Sequence, residues 1–357
     1  VGAAVAQARE QFVEVEEIVR AEVGDDVAAV GQPMVREHVR PAAASGAQAA
    51  GNPASFVTPA TCDRACLEGL VDRVLNAMAA NDIGQLPLAA DVKATENGVE
   101  RPVWDGLWQT ATARGRYRII VADPESGQAG FLGTMMENGK PIYLALRIRI
   151  DEEKIAEIET VIARGGTGGA SGASPGQQME ERGTPRPQFG RTVPARDRMT
   201  RAALVTAADS YFANLQGSTG KSSANFANTC ERIENGGQTT SLKTVRPGRE
   251  KFDALTLSCE EQQRSGFYAF VTGIRDRRYP IVDRERGLVL SFAYFDHTGA
   301  VRDLSLTNGL TVPSPFRAPL TFQIAELFQV DKGKLDQIEA VLNTVPYGMR
   351  SDLWDRH

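Results

Sequence analysis

Apolar residues recur along this chain with two different periods. In two segments they return every three or four positions, which predicts an amphipathic helix at the start of each half of the chain. In PIYLALRIRI, Pro141–Ile150, every second residue is a large aliphatic one, which predicts a half-buried strand. Asn138 and Gly139 stand just before this strand, and Asn-Gly between two strands favours a tight hairpin. The two helical stripes are Leu67, Leu70, Val71, Val74, Leu75 and Met78, and Leu204, Val205, Ala208, Tyr211, Phe212 and Leu215.

Short phrases of the sequence occur twice and in the same order. The phrase Glu96-Asn97-Gly98 returns 138 positions later as Glu234-Asn235-Gly236, and each copy follows one of the two predicted helices. Several matched landmarks in the same order predict a tandem duplication. The other landmarks are ADPESG at 122–127 with VDRERG at 282–287, and KIAEIETVI at 154–162 with KLDQIEAVL at 334–342.

Each copy contains one helix followed by a run of antiparallel strands, which predicts an α+β fold with helices packed on one face of a curved sheet. A Gly/Pro-rich stretch at 165–187 separates the copies, and its composition is typical of a flexible tether. Ahead of the first copy, Val5–Val23 has the pattern of an amphipathic helix, and Pro41–Ser55 that of a second tether. The predicted regions are 1–60 (N-terminal helix and tether), 61–164 (first domain), 165–198 (linker) and 199–357 (second domain with a C-terminal tail).

Composition and charge exclude several classes of protein. The 357 residues are 42% hydrophobic and 24% charged, which is typical of globular domains, and no apolar run is long enough to cross a membrane as a helix. The formal net charge of −5 argues against a nucleic-acid-binding surface, because phosphate binding needs an excess of Lys and Arg. We therefore expect a neutral or weakly polar small-molecule ligand, with no nucleic acid and no membrane span.

The four cysteines are divided equally between the copies. Cys62 and Cys66 lie in the first copy, and Cys230 and Cys259 in the second, as expected for local disulfides 62–66 and 230–259 in an exported protein. This favours a periplasmic or secreted location, although these residues show no signal-peptide pattern. Four reduced cysteines in a cytosolic protein are the alternative. The spacing does not match a structural zinc site.

The order of motifs within each copy is similar to that of a known family. The first copy has the helix CDRACLEGLVDRVLNAMAAND, then LPLAADVKATENG, then strands ending in KIAEIETVIAR; the second has CERIENGGQTT, RDRRYPIVDRERGLV and YFDHTG. This order resembles the SnoaL-like branch of the nuclear transport factor 2-like superfamily, over residues 61–164 and 199–349. The resemblance implies two cones, each a bent antiparallel sheet wrapped around a long helix, with an apolar pocket at the wide end. Members include cofactor-free isomerases, cyclases, dehydratases and lyases, and also binding modules, and the sheet's outer face commonly mediates dimers.

The second copy has more polar residues at positions that could line a pocket. His297 is the only histidine within either copy, and an imidazole there could act as a general base near neutral pH. Arg275 could polarise a carbonyl group or hold a carboxylate, with Tyr211 and Tyr294 as further hydrogen-bond donors. These four are the predicted catalytic residues. The predicted substrate-binding residues are Asn235, Phe212, Phe292 and Asp283.

Each of these assignments has a structural alternative. The DHTG segment around His297 is also a typical polar hairpin turn, and Arg275 could belong to a solvated strand edge paired with nearby acids. Asp283 and its counterpart Asp123 both precede a glycine by four residues, so both could simply shape turns. Asp72 and Asp209 lie on the two helices and could be either proton carriers or surface residues.

These observations favour a cofactor-independent lyase or isomerase that acts on a largely apolar aromatic, terpenoid or polyketide-like molecule in the second cone. A deep apolar pocket would strengthen hydrogen bonds to a developing oxyanion, so that no metal or nucleotide is required. The alternative is a non-catalytic exported ligand-binding or assembly module, with the two copies pairing within one chain or the protein forming a homodimer. GSTGKSS, 217–223, lacks the spacing of a phosphate-binding loop, and no Gly-x-Ser-x-Gly motif supports a hydrolase.

Overall fold

The computed structural model describes residues 62–165 and 173–351. They form two six-stranded sheets, each preceded by a long helix, so the protein is α+β with two similar halves, here called the first half (62–165) and the second half (199–351). The predicted N-terminal helix lies outside the described residues. Among the described helices, none combines the length and the apolar character that a membrane crossing requires.

The elements follow the order that the sequence pattern predicts. The first half contains α1 (Arg64–Ala80), β1 (Leu88–Glu96), β2 (Val99–Glu100), α2 (Leu107–Thr110), β3 (Ala111–Asp123), β4 (Gln128–Glu137), β5 (Lys140–Asp151) and β6 (Lys154–Ala163). The connecting segment contains α3 (Pro175–Arg182). The second half contains α4 (Arg201–Leu215), β7 (Phe226–Glu234), β8 (Gly237–Gln238), α5 (Cys259–Arg264), β9 (Gly273–Asp283), β10 (Leu288–His297), β11 (Asp303–Ser305), β12 (Thr311–Pro313), β13 (Leu320–Asp331) and β14 (Lys334–Val345).

The two sheets have the same strand order, as expected for a duplication. The orders are β2-β1-β6-β5-β4-β3 and β8-β7-β14-β13-β10-β9, and the second half adds the small hairpin β11-β12. Neighbouring strands are antiparallel with one exception in each sheet, because β1 runs parallel to β6 and β7 runs parallel to β14. The prediction of wholly antiparallel sheets is therefore corrected. The first and last long strands of each half are neighbours in the sheet but far apart in sequence, so no hairpin dictates their relative direction.

Each long helix packs on one face of its own sheet. Asp63 caps α1 by accepting a hydrogen bond from the Cys66 amide at 2.9 Å, and Thr200 caps α4 in the same way through the Ala203 amide at 3.2 Å. The predicted apolar stripes are buried against the sheets, apart from Val205, which is half-buried. Each half therefore has a core between its helix and its sheet.

The repeated Glu-Asn-Gly phrase has the same structural role in both halves. Asn97 and Asn235 adopt left-handed backbone conformations with φ of 49° and 46°, which asparagine tolerates better than most residues. The Asn97 side chain accepts a hydrogen bond from the Ile162 amide at 2.8 Å, and Asn235 accepts one from the Leu342 amide at 2.9 Å. Each asparagine thus ties the end of the first strand to the last strand of its sheet. Asn235, predicted to bind substrate, has this structural role.

The two sheets pack on each other through the faces opposite the long helices. A third core contains residues from both halves, including Tyr143 and Leu132 of the first sheet and Leu290 and Phe292 of the second. The halves thus contact each other within one chain, which is one of the two arrangements considered above. Phe292, a predicted substrate-binding residue, belongs to this inter-sheet core.

Ion pairs at the edge of this core are reciprocal. Arg64 at the start of α1 pairs with Asp283 of the second half, Nη1 to Oδ2 at 2.9 Å, and Arg201 at the start of α4 pairs with Asp123 of the first half. Each aspartate also accepts hydrogen bonds from backbone amides of its own turn. Asp123 and Asp283 therefore shape turns, as the structural alternative proposed, and also bind the opposite half.

Part of the predicted linker is a helix. Ser174 and Gln177 form a capping box at the start of α3, and Pro175 occupies its first turn. Met179 on this helix is fully buried in the inter-sheet core, together with Phe189 further along. Residues 175–182 of the predicted tether therefore form a docked helix, since Met179 packs in the inter-sheet core.

Both predicted disulfides are confirmed, Cys62–Cys66 and Cys230–Cys259. Their sequence separations are 4 and 29 residues, and a cross-link restricts the unfolded chain more when it closes a longer loop. Replacing Cys230 and Cys259 by serine should lower the free energy of unfolding by about 2–4 kcal/mol. Urea unfolding of this variant, compared with the Cys62→Ser/Cys66→Ser variant, tests the loop-length effect. An equal or larger loss for the shorter loop would contradict it.

Candidate functional site

The predicted site residues of the second half lie on two opposite faces of its sheet. Tyr211 and Phe212 belong to the core between α4 and the sheet, and His297 packs on the same side beside Phe270. The other predicted residues are placed elsewhere. Tyr294, Phe292 and Asp283 face the first half, and Arg275 lies on the same sheet face as Tyr294. Asn235 lies in the Glu-Asn-Gly turn.

His297 is enclosed by aromatic rings. Its ring centroid lies 4.5 Å from that of Phe316, 4.9 Å from that of Phe322 and 5.7 Å from that of Phe270. The side chain is 1% exposed, and its Nδ1 atom has no hydrogen-bond partner among the described residues. Burial lowers the pKa of His297 to about 4, so the imidazole is neutral at pH 7.

Arg275 is occupied by local partners. Its guanidinium binds Asp296 at 2.8 Å and Asp276 at 2.8 Å, and it lies over the Tyr294 ring at 4.8 Å from the centroid. The Tyr294 hydroxyl faces the Gly98 turn of the first half, since a Cβ atom at Gly98 would lie 3.1 Å from it. Tyr294 therefore lies against the first half, Arg275 is paired with acids of its own half, and both lie on the sheet face opposite His297.

A different group of polar side chains meets inside the second half. We call Tyr211, Arg232, Tyr268 and Glu326 the buried polar cluster, because none of them is more than 6% exposed. Arg232 donates hydrogen bonds to the Tyr211 hydroxyl and to Thr239 Oγ1. Its guanidinium carbon lies 5.2 Å from the Tyr268 ring centroid, within the range of a cation–π contact. These four residues come from α4, β7, the 267–270 turn and β13.

Glu326 is the most perturbed acidic group of this cluster. It is 2% exposed, and its carboxyl group makes no side-chain hydrogen bond to any described residue. Burial raises the pKa of Glu326 to about 8, although the Arg232 charge opposes the rise and the Glu234 charge adds to it. At pH 7 the carboxyl group is therefore mostly neutral and close to its titration range. Such a group can both take and give a proton near neutral pH.

A cap segment, residues 239–272, covers this cluster and supplies one of its members. In the first half the corresponding connection is much shorter, running from 101 to 110. Within the cap segment, the Tyr268 hydroxyl donates to Gln262 Oε1 at 2.5 Å, and Gln262 Nε2 donates to the Ala254 carbonyl at 2.6 Å. The Cys230–Cys259 disulfide joins α5 of the cap segment to β7.

The first half has apolar residues at the matching positions. Val74 is the eleventh residue of α1 as Tyr211 is of α4, and Leu146 is the seventh of β5 as Glu326 is of β13. Ala94 matches Arg232 in the same way. All three first-half residues lie in an apolar core. The fold therefore forms without a buried charge at this place, and the polar cluster is an addition of the second half.

Residues 197–342 match the family model described as "Domain of unknown function (DUF8021)". No curated protein matches the chain, and no solved structure matches it. The matched range begins just before α4, ends within β14 and contains the whole buried polar cluster.

Sequence reasoning found Tyr211 in this cluster but missed Glu326, Arg232 and Tyr268. A signal for Glu326 was present, because LTFQIAELFQV places a charged residue in an alternating apolar strand where the first copy has Leu146. Arg232 gave a similar signal, because it is a charged strand residue at the position where the first copy has Ala94. Tyr268 had no such signal, since the cap segment has no long counterpart in the first copy.

The described residues also form surface grooves away from the buried polar cluster. A groove of about 260 Å³ beside the connecting segment has an apolar part formed by Met199, Leu204 and Val330. Its Arg191 is already paired with Asp331 at 2.9 Å. Within 62–165 and 173–351, no three His, Cys, Asp or Glu residues are grouped as metal ligands.

Proposed function

We propose that the second half holds a small, largely apolar carbonyl compound in its interior and that Glu326 moves a proton on it. The protein would then be a cofactor-independent isomerase or lyase. The observation that carries this proposal is the buried Glu326, whose carboxyl group makes no side-chain hydrogen bond and interacts electrostatically with Arg232 and Tyr211. An apolar residue occupies the matching position of the first half, so folding alone does not account for a carboxyl group there.

The chemistry follows from the charges of the cluster. Ionised Glu326 takes a proton from the carbon next to the substrate carbonyl group, and the electron pair of the broken C–H bond moves onto the carbonyl oxygen. Arg232 and Tyr211 stabilise this enolate oxygen by charge and hydrogen bonding in a buried setting. Neutral Glu326 then returns the proton to another carbon in an isomerisation, or the enolate expels a leaving group in an elimination.

We also propose that each half is a SnoaL-like cone. The shared strand order, the long helix buried against one sheet face and the cap over the second interior support this assignment. A ligand would reach Glu326 by movement of the cap segment. The two disulfides support an exported protein, periplasmic or secreted, because such bonds persist in oxidising compartments.

A non-catalytic exported binding or assembly module is the second candidate. The apolar interior of the first half favours it, because the three residues there that match the cluster are apolar. In this case the buried polar cluster would orient a ligand without changing it.

Exchange of carbon-bound hydrogen with solvent tests the catalytic proposal. In D₂O, the protein should accelerate deuterium incorporation next to the carbonyl group of an apolar ketone such as 2-indanone, followed by NMR. Glu326→Gln cannot take up the proton, so the acceleration should fall about 100-fold or more. The wild-type rate should rise with pH and level off above about pH 8, as Glu326 becomes ionised.

Glu339→Gln is the matched control. Glu339 is also fully buried with a raised pKa caused by burial, but its carboxylate binds Tyr117 and Tyr143 at the inter-sheet core. This variant should keep the exchange rate within about threefold. If Glu326→Gln exchanges as fast as the wild type, the catalytic proposal is wrong and the binding-module candidate is favoured.

A further inference from the structure

The buried polar cluster has hydrogen-bond donors for which the protein provides no acceptor. The Tyr211 oxygen already accepts a hydrogen bond from Arg232, and among the described residues no acceptor is found for its own O–H proton. The Glu326 carboxyl group likewise makes no hydrogen bond to a described side chain, and only the backbone carbonyl of Glu326 is bound, by Ser291 Oγ. Tyr211 and Glu326 are both at least 98% buried, and each has hydrogen-bonding capacity that no described side chain takes up, whereas buried polar groups are normally satisfied.

The interior also carries an incompletely balanced positive charge. Arg232 is 4% exposed, and burial by itself disfavours its charged form, but the neighbouring Glu234 and the tyrosines leave its pKa raised. Its acidic partner Glu234 lies 3.3 Å from Nε, and the Glu234 side chain is 32% exposed. Since Glu326 is mostly neutral at pH 7, the charge of Arg232 is balanced by the partly exposed Glu234 carboxylate.

The groups around Glu326 come from several elements. Arg232 and Glu234 on β7 act on its charge. In turn, a charge on Glu326 would raise the pKa of Tyr211 on α4, of Tyr268 in the cap segment and of Tyr279 on β9. Of the charged groups among these neighbours, only Arg232 is cationic. Negative charge brought into the interior is therefore stabilised by Arg232 and opposed by ionised Glu326.

We infer that the site selects a ligand with two oxygens that share one negative charge, as in a carboxylate or the enolate of a 1,3-dicarbonyl compound. One oxygen accepts hydrogen bonds from Arg232 and Tyr211, and the other accepts the Glu326 proton. This is the charge arrangement that exists after Glu326 has taken a proton from a bound carbonyl compound, so the inference rests on the proposed function. It names the class of substrate and of inhibitor for that reaction.

Calorimetric titration of the full chain with three probes tests this inference. Benzoate provides a carboxylate, benzoylacetone provides the 1,3-dicarbonyl enolate, and acetophenone provides a single neutral carbonyl of similar size. At pH 7 at least one of the first two should bind at least about 10-fold more tightly than acetophenone, because a hydrogen bond to a charged group contributes more than a neutral one. The stronger of the two identifies the source of the oxygen pair.

Variants and pH assign the effect to the cluster. Tyr211→Phe should weaken binding of the preferred anion about 10-fold, and Arg232→Met should weaken it further. Tyr117→Phe, which removes a buried hydroxyl at the inter-sheet core, should leave it unchanged. The affinity for benzoate should fall above about pH 8, where Glu326 becomes negative, and this fall should be absent in Glu326→Gln.

The possible outcomes separate the inference from the proposed function. No binding by either anion, acetophenone binding as tightly as the anions, or unchanged affinity in Tyr211→Phe would each overturn the inference. Tyr211→Phe keeps the test valid even if Arg232→Met does not fold. Anion binding without Glu326-dependent exchange would remove the catalytic proposal and leave the inference standing. Glu326-dependent exchange without anion binding would overturn the inference and leave the catalytic proposal standing.

Discussion

Replacing Arg278 by methionine is expected to lower the free energy of unfolding by about 3–5 kcal/mol. Glu159 is fully buried between the sheets, where Arg278 of the other half binds it at 2.6 Å and Arg147 of its own half binds it at 2.8 Å. Burial opposes the charge on Glu159, but the two arginines outweigh this effect and lower its pKa. Without Arg278, the buried Glu159 carboxylate keeps only one of its two arginine partners. The decrease in the free energy of unfolding should be nearer about 3 kcal/mol, because Arg147 still binds Glu159.

Chemical denaturation with two further variants checks this result. Arg118→Met removes an arginine that is 45% exposed and pairs with Asp72, and it should change stability by about 1 kcal/mol or less. Combining Arg278→Met with Glu159→Gln should cost less than the sum of the single changes, because the second change removes the uncompensated charge. Strict additivity would show that the two side chains do not interact across the halves.

Replacing Glu326 by glutamine is expected to make the protein less sensitive to alkaline pH. The carboxyl group has a pKa of about 8 in the folded protein and an ordinary value near 4.5 in the unfolded chain. Between these values the folded state holds a proton that the unfolded state has released, so stability falls as pH rises, by about 1.4 kcal/mol per pH unit for a full proton. Above the folded pKa the loss is complete and constant.

Urea unfolding of the two proteins at several pH values measures this effect. Glu326→Gln should gain stability relative to the wild type from about pH 5 to pH 8, and the difference should then level off. The raised pKa of Glu339 affects both proteins equally, so it cancels in the comparison. A difference that does not depend on pH would show that Glu326 titrates normally, and the proton-transfer proposal would lose its basis.

Local signals in the sequence predicted the elements well. The left-handed Asn138 and Gly139, with φ of 48° and 75°, form the predicted hairpin turn, since this turn needs positive φ at both positions. The disulfide pairs were also predictable, because each lies within one copy. Comparison of the copies was informative for Tyr211, whose polar group has no equivalent in the first half.

The site was harder to predict because its members are distant in sequence. His297 has the sequence context of a polar turn, yet Phe270, Phe316 and Phe322 from three separate segments enclose it. Arg275 has the context of a pocket residue or a solvated edge, but it contacts the C-terminal segment through the Met349 carbonyl. Neither environment is encoded by the residues next to these positions.

The sequence by itself determined the duplicated order of helices and strands, the turns and the disulfide pairs, because these depend on spacing over a few residues. Only the tertiary structure decided which sheet face each polar residue meets. Packing of the two sheets directs Tyr294 to the other half, while the cap segment and β13 bring Tyr268 and Glu326 to the interior that holds Arg232. The physical reason is that desolvation and charge pairing, which set the properties of Glu326, depend on contacts between segments far apart in the chain.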